Sequence, residues 1–382
     1  MSGWIVAGTG ALNSVGRTAE ETFAGLCSGV SGLSELRAFD ADKFRVRHTY
    51  EIDDRARPGV DEPGRATRWL LAAIAEAVAD AGIDENLGDI PVLIGTGLRE
   101  LRSAEMWQLG QAEVGEADLH FGPAVYERFG ASRCYTFANA CSASLYALGM
   151  GTDLIDTGAA DTVVVAGVDA ITMSMHGLLD RVHPVPPRSV RPFDRDRQGV
   201  IMGEGAAAVV LRRYEPGQRG TADRGTLRSV SLGCDAYHVT APDPKGIAAT
   251  IRDAHTRSGV KPEDIDLVML HGTGTLLNDE AEAMAVGEVF GQQVGHPLMT
   301  AIKSMTGHTS GGSGLLGLIV ALRCLATGRI PPTIGLNEPV TEAERFRFVR
   351  SRAVSAPLAV AQVNAFGFGG VNAVAVVERR PS

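Results

Sequence analysis

A cysteine, two histidines and a lysine stand in this chain where loops rather than cores are expected. Cys141 follows the short extended run Tyr135-Thr-Phe, and after it come small residues and an apolar pattern of helical spacing: Leu145, Leu148, Met150, Leu154 and Ile155. The spacing predicts strand, tight turn and helix, with the thiol at the helix's positive end. A thiolate is favoured there relative to a free thiol of pKa about 8.5. The plainer alternative is a small buried residue that lets helices pack closely. Three later loops weigh against it: His271-Gly-Thr-Gly-Thr after a buried-type strand, Lys303-Ser-Met-Thr-Gly-His308 opening a glycine-rich turn, and Asn364-Ala-Phe-Gly-Phe-Gly-Gly-Val-Asn372 between two strand-like runs. Histidines at strand mouths, flanked by glycines that let backbone approach a ligand, are poor core material. Together these residues suit a thiol nucleophile with polar partners. A zinc site is disfavoured, because neither HExxH nor paired ligand spacing is present, and no loop ends in the GK[ST] of a P-loop.

The elements that position these residues alternate. Trp4-Ile-Val-Ala-Gly-Thr-Gly-Ala-Leu-Asn-Ser-Val-Gly16 reads as a strand entering a glycine-rich loop before a helix at 18–28. Gly8 and Gly10 fit a dinucleotide fingerprint, but Asn13 occupies the third glycine's place, so a tight strand-to-helix turn is the better reading. Residues 34–64 are polar and irregular, a helix is expected over 65–82, and strands are expected at Ile90-Pro-Val-Leu-Ile-Gly, Thr162-Val-Val-Val-Ala-Gly and Ala206-Ala-Ala-Val-Val-Leu. Residues 97–133 resist placement. The second half repeats the scheme: strand 226–232, helix 247–258, strand Leu267-Val-Met-Leu, a helix from Asp279, a short strand near Leu298, and a helix from Leu315 to Leu325. That helix ends in Thr327-Gly328 as the Cys141 helix ends in Thr157-Gly158, which suggests an internal duplication with halves meeting near 213–224. Alternating strands and helices, twice over, imply a layered α/β architecture.

Composition bounds the partners. The chain has 382 residues, 45% hydrophobic and 21% charged, with net charge −9, enough for two domains or one fused pair. No basic run is interleaved with aromatics, so nucleic acid is not an expected partner, whereas a local basic patch still permits an acidic protein one. No signal peptide and no 18-residue apolar run is legible, so no membrane span is expected. Cys27, Cys134, Cys141, Cys234 and Cys324 lack CxxC spacing, which points to a reduced cytoplasmic protein.

Six motifs in order now carry a resemblance over nearly the whole chain. They are Ala140-Cys-Ser-Ala-Ser, Arg191-Pro-Phe-Asp with Met202-Gly-Glu-Gly, Asp235-Ala-Tyr-His-Val-Thr-Ala-Pro, His271-Gly-Thr-Gly-Thr, Lys303-Ser-Met-Thr-Gly-His and Gly367-Phe-Gly-Gly. The chain resembles the β-ketoacyl-ACP synthases of the thiolase superfamily, nearest the elongating synthases of type II fatty-acid and polyketide pathways. The resemblance implies a thiolase-like fold: two similar βαβ-type halves in five layers, α-β-α-β-α. Residues 1–215 would carry the nucleophilic cysteine and 216–382 the two histidine loops.

The implied reaction is a decarboxylative Claisen condensation. Cys141 accepts an acyl group from acyl carrier protein, and a malonyl-type extender loses CO2 to give the enolate that attacks it. The N–H groups of Cys141 and Phe368 would form the oxyanion hole. His271 and His308, neutral, would hold the extender's thioester carbonyl through Nε–H. Lys303 with Asp279 and Glu282 would be a buried ionic set near His308. Thr273 and Thr275 would hold the phosphopantetheine arm, Phe368 would gate it, and Phe366, Gly367 and Gly369 would line the substrate path. No cofactor or metal is implied, the substrates riding on the carrier's phosphopantetheine. The implied partners are acyl carrier protein and either a second copy or a related ketosynthase/chain-length-factor subunit.

Three departures qualify this. Leu276 replaces the family's proline after the His-Gly-Thr-X-Thr run, which implies a less rigid loop. The 97–133 stretch, which in the family caps the acyl pocket, is shortened and hints at a specialised pathway. Ala140 and Ala143 put little bulk beside the nucleophile. A chain-length-factor subunit would lack the cysteine, a thiolase would carry a second one after Cys324, and an acyltransferase or hydrolase would use Cys141 without decarboxylating an extender.

Overall fold

The strands' apolar residues face two ways, and that alternation builds the layers. In Thr162–Asp169, Val163 and Val165 face the central core while Val164, Ala166 and Val168 face an outer one. In Val371–Glu378, Ala373, Ala375 and Val377 face the same central core, and Val374 and Val376 face a third. A sheet covered on both faces needs helices on each side. A computed structural model describes residues 3–56, 59–213 and 224–379.

In chain order the principal strands are β1 (Trp4–Asn13), β2 (Val92–Gly95), β3 (Cys134–Phe137), β4 (Thr162–Asp169), β5 (Gly205–Arg213), β6 (Gly225–Cys234), β7 (Leu267–Met269), β8 (Leu298–Thr300), β9 (Arg347–Phe348), β10 (Val360–Gly367) and β11 (Val371–Glu378). The helices are α1 (Ala19–Cys27), α2 (Arg65–Ala81), α3 (Leu101–Gln108), α4 (Phe121–Phe129), α5 (Ala143–Asp156), α6 (Met173–Val182), α7 (Pro244–Ser258), α8 (Leu276–Phe290), α9 (Lys303–Thr306) and α10 (Ser313–Thr327). The spatial order β3-β2-β4-β5-β1 in the first half is matched in the second by β8-β7-β10-β11-β6, with β9 added at the outer edge. The two sheets join where β1 meets β6, at Trp4↔Leu227, Ile5↔Thr226 and Val6↔Gly225. Between them lie α1, α5 and α10, whose apolar residues share one core with both inner sheet faces. Outside lie α2 and α4 against the first sheet, and α7 and α8 against the second. These are the five layers that the resemblance implies. The expected boundary at 215/216, with the linker-like Pro216, Gly217 and Gly220, lies outside the described residues.

The Gly8–Gly10 segment is corrected from loop to strand. β1 runs on to Asn13, and a Cβ on Gly8 or Gly10 would lie 2.2 Å from Ala77 O or Ala73 O respectively. The glycines therefore serve the close approach of α2 to β1, not a phosphate. The α1 start is capped by Thr18, whose side chain accepts from Glu21 N. α8 begins at Leu276, three residues before the expected Asp279, and residues 97–133 hold α3 and α4. Ser310–Thr327 is long and apolar enough to cross a membrane, a run the sequence reading did not register. It is 83% buried inside the protein, where both sheets cover it, so its apolarity is that of a central core helix.

Candidate active site

The two central helices present their N-termini to each other, and Cys141 sits at that junction. It lies in a 3-10 turn, Ala140–Ser142, between β3 and α5. Ala140 is held at φ +50, a left-handed conformation costly for a residue with a Cβ. The corresponding turn before α10, Ser310–Gly312, repeats this with Ser310 at φ +46. Ser313 Oγ donates to Cys141 O at 3.3 Å, and Leu315 N donates to Ser144 Oγ at 3.1 Å, so the helix starts are tied together. Asp169, at the end of β4, fastens the second turn, accepting from Gly311 N at 2.6 Å, Gly97 N at 2.8 Å, and Leu98 N and Thr96 Oγ1 at 2.7 Å.

Two N–H groups, those of Cys141 and Phe368, point at the Cys141 sulfur. The second comes from the β10–β11 turn, which approaches so closely that a Cβ on Gly367 would lie 3.2 Å from Cys141 N and 2.9 Å from Val371 Cγ2. Phe368 is 47% exposed at the tip of this turn, while Phe366 is buried against the His271 ring at 5.8 Å. Gly369, at φ +84, donates its N–H to Val239 O at 2.8 Å. The thiolate expectation is corrected here. Cys141 keeps partial exposure, yet burial of its surroundings pushes the thiol up to about 11, against the opposing pull of Lys303 and the two N–H groups. The thiol is the resting form.

His271 follows β7, and its peptide is clamped from both sides. Its N–H donates to Glu282 Oε1 at 2.8 Å, and its C=O accepts from Lys303 Nζ at 2.5 Å. Lys303 Nζ also lies 3.3 Å from His271 Nδ1. An ammonium can only donate, so this contact makes Nδ1 the acceptor and leaves the ring proton on Nε2. The His308 ring meets His271 edge to face at 5.4 Å, and among the described residues neither of its buried nitrogens has a hydrogen-bond partner. Burial, reinforced by the charge of Lys303, holds both imidazoles well below the ordinary value, so both are neutral.

Lys303, Asp279 and Glu282 are all buried, and both carboxylates act on the ammonium through their charge. Among the described residues neither carboxylate is in direct ion-pair contact with Lys303, whose Nζ reaches His271. Glu282 accepts from His271 N, Gly272 N and Asn364 Nδ2, the last at 3.0 Å, and burial raises it to about 7. Asp279 accepts from Phe193 N at 2.7 Å, and from Thr273 N and Gly274 N. The Thr273 and Thr275 hydroxyls are 2.8 Å apart. Arg197 donates to Thr275 O and Leu276 O, at 3.1 and 2.9 Å, so the loop without proline is pinned by a guanidinium instead. The structure thus brings Cys141, His271, His308, Lys303, Phe366, Gly367 and Phe368 together, with Thr273 and Thr275 on the adjoining loop. Sequence reasoning missed Asp169 and Arg197, and named Asn364 only as the first residue of the third loop. For Asp169 a signal existed, a carboxylate closing an otherwise apolar strand.

The comparisons identify the family and the fold. The family model described as beta-ketoacyl synthase, N-terminal domain, matches residues 5–216, and the C-terminal domain model matches residues 224–337. A 3-oxoacyl-[acyl-carrier-protein] synthase 2 from Synechocystis sp. is 31% identical, covering 96% of each chain. The Vibrio cholerae protein of the same name is 29% identical over 98% of each. Among solved structures, the ishigamide ketosynthase/chain length factor superposes with TM-score 0.88 at 32% identity over the full length of both chains. A type II PKS acyl-carrier protein in complex with its ketosynthase, at TM-score 0.87 and 21% identity, shares the fold.

Proposed function

The chain belongs to the beta-ketoacyl synthase family and is a condensing acyltransferase of the 3-oxoacyl-[acyl-carrier-protein] synthase kind, and from that premise we propose how its own residues carry the reaction. Cys141 Sγ forms a bond to the acyl carbon of a carrier thioester. The carrier's C–S bond breaks, and the thiol proton leaves with the carrier sulfur. A malonyl-type thioester then binds with its carbonyl oxygen between His271 and His308. Its carboxylate leaves as CO2, and the electron pair of the broken C–C bond enters the enolate that the two Nε–H groups hold. The enolate carbon attacks the Cys141 thioester, and the one proton the overall step consumes, taken up by the departing sulfur, comes from solvent. The N–H groups of Cys141 and Phe368 hold the oxyanion until the C–Sγ bond breaks and the sulfur regains a proton.

One observation carries this reading: the His308 ring nitrogens are buried with no hydrogen-bond partner among the described residues. A neutral imidazole left so is costly unless a ligand completes it. A chain-length-factor role is disfavoured by Cys141, whose sulfur already faces two N–H donors.

Acyl carrier protein is the proposed partner, its phosphopantetheine arm passing Thr273, Thr275 and Phe368. Gly367 and Gly369 keep that path clear, and the steps above need no cofactor. We place a second subunit, identical or a ketosynthase/chain-length-factor relative, along β3, which ends the first sheet with Tyr135 46% exposed. All five cysteines are free, which supports a reducing, cytoplasmic setting. The test is His308→Ala: Cys141 should still load acyl groups within about threefold of wild type, while condensation falls about a hundredfold or more. Loss of loading with condensation spared would overturn the division of roles.

A further inference from the structure

Among the described residues the His308 ring has no hydrogen-bond partner, so its aim depends on what holds its main chain. That support is a small ladder outside the two sheets. His308 N donates to Ile201 O at 3.0 Å, and Gly203 N donates to His308 O at 3.0 Å. On the other side of the same segment, Tyr50 N donates to Met202 O at 3.1 Å and Glu204 N donates to Tyr50 O at 2.9 Å. The Glu204 carboxylate anchors this middle strand. It accepts from Arg55 Nη2 at 2.7 Å, Arg65 Nη1 at 3.1 Å and Ile52 N at 2.9 Å.

Tyr50 also reaches the histidine's own turn. Its fully buried ring lies under Gly307, where a Cβ would come within 2.5 Å of Tyr50 Cδ2. Gly307 holds φ +65, so the turn into His308 is both left-handed and pressed onto this ring. The phenol donates to Ser304 O at 3.4 Å and accepts from Val190 N at 3.2 Å. Burial pushes it up to about 12, so it keeps its proton for the first of these bonds at any working pH.

We propose that Tyr50 is a positioning residue for His308, its ring serving as floor and its hydroxyl as tether for the Ser304–His308 turn. The inference rests on the reading of His308 as a donor in decarboxylation. Nothing in Tyr50 touches substrate; it acts through the direction of the imidazole. A small misdirection of a hydrogen-bond donor is costly in rate.

Two variants test this, each assayed for acyl loading of Cys141 and for decarboxylation of malonyl carrier protein. Tyr50→Leu removes floor and tether, and Tyr50→Phe removes the tether alone. We expect Tyr50→Leu to lower decarboxylation about tenfold or more while loading stays within about threefold, with Tyr50→Phe between it and wild type. A merely structural role would lower both rates together, and an unchanged ratio of the two overturns the inference. Should Tyr50→Leu not fold, Tyr50→Phe decides alone: a ratio lowered about threefold supports the inference, an unchanged ratio overturns it. His308→Ala assayed alongside separates the failures. Normal decarboxylation by that variant sinks the reading of His308 itself. Impairment there with unaffected Tyr50 variants sinks only the positioning role.

Discussion

Lys303 settles the state of His271 by two contacts at once, one to the ring and one to the carbonyl. Burial lowers its own ammonium to about 8, so the clamp loses its charge in mildly alkaline solution. Cys141 feels the same charge. Burial pushes the thiol up to about 11, with Lys303 opposing, so iodoacetamide alkylation of Cys141 should climb through pH 8 and 9 without a plateau. A plateau below pH 7 would show a resting thiolate and contradict this account. Cys141→Ala should abolish acyl loading altogether, read by intact mass, and loading that survives would remove Cys141 from its role. These residues were legible in the sequence because glycines and strand mouths surround them. Lys303 was legible as a site residue but not in its contacts, since only the fold shows that Glu282 takes peptide N–H groups and not the ammonium. Asp169, a carboxylate closing an apolar strand, and Glu204, within a quoted motif, were visible as residues but not in their roles, because a buried carboxylate declares its purpose only through the turns it joins.

Elements tell a similar story about local geometry. The Gly8–Gly10 pair read as a loop because glycine marks turns more often than tight helix-on-strand packing, and only α2 at 2.2 Å from the absent Cβ positions distinguishes the two. Leu276 is the first residue of α8, and Thr275 before it is extended at φ −91, ψ 152. Both are what a proline at that place asks of its neighbours. Leu276→Pro should therefore be tolerated and raise stability by about 0.5 kcal/mol in urea unfolding. A loss of more than about 1 kcal/mol would show that the loop's conformation depends on the leucine. The Leu276 departure thus leaves the loop ordered, since Asp279 and Arg197 bind its N–H and C=O groups.

At the scale of the molecule, the mirrored strand orders show how the duplication works. Each half starts its central helix against the start of the other's, and the nucleophile sits where the two turns meet. The matching Thr-Gly endings of α5 and α10 were the sequence trace of that symmetry, with Gly158 and Gly328 at φ +72 and +71. Burial of this much polar chemistry has a price in acid. Burial lowers the pKa of five imidazoles, those of His176, His183, His255, His271 and His308. A depressed folded-state pKa means stability present above the ordinary imidazole value and lost as pH falls. Burial raises the carboxyls of Glu51, Glu76, Asp169, Asp279 and Glu282, Asp169 to about 6 and Glu282 to about 7, and these act the other way, since their stability is lost as pH rises. A single imidazole isolates its own share: His255→Gln removes one depressed group outside the site, so its melting temperature should fall less than that of wild type between about pH 7.5 and 5.5. An equal or steeper fall in the variant would contradict a neutral, buried His255.

The central claim is that one sulfur is loaded and then spent on an enolate made in the same site. Intact-protein mass spectrometry measures both events. The wild-type protein is offered acyl carrier protein thioesters of increasing chain length, and then malonyl carrier protein. The account predicts an acyl adduct on Cys141 that disappears on malonyl addition, with release of CO2 and a β-ketoacyl carrier product. An adduct that persists after malonyl addition, with no CO2 released, would contradict it and leave an acyltransferase that does not condense.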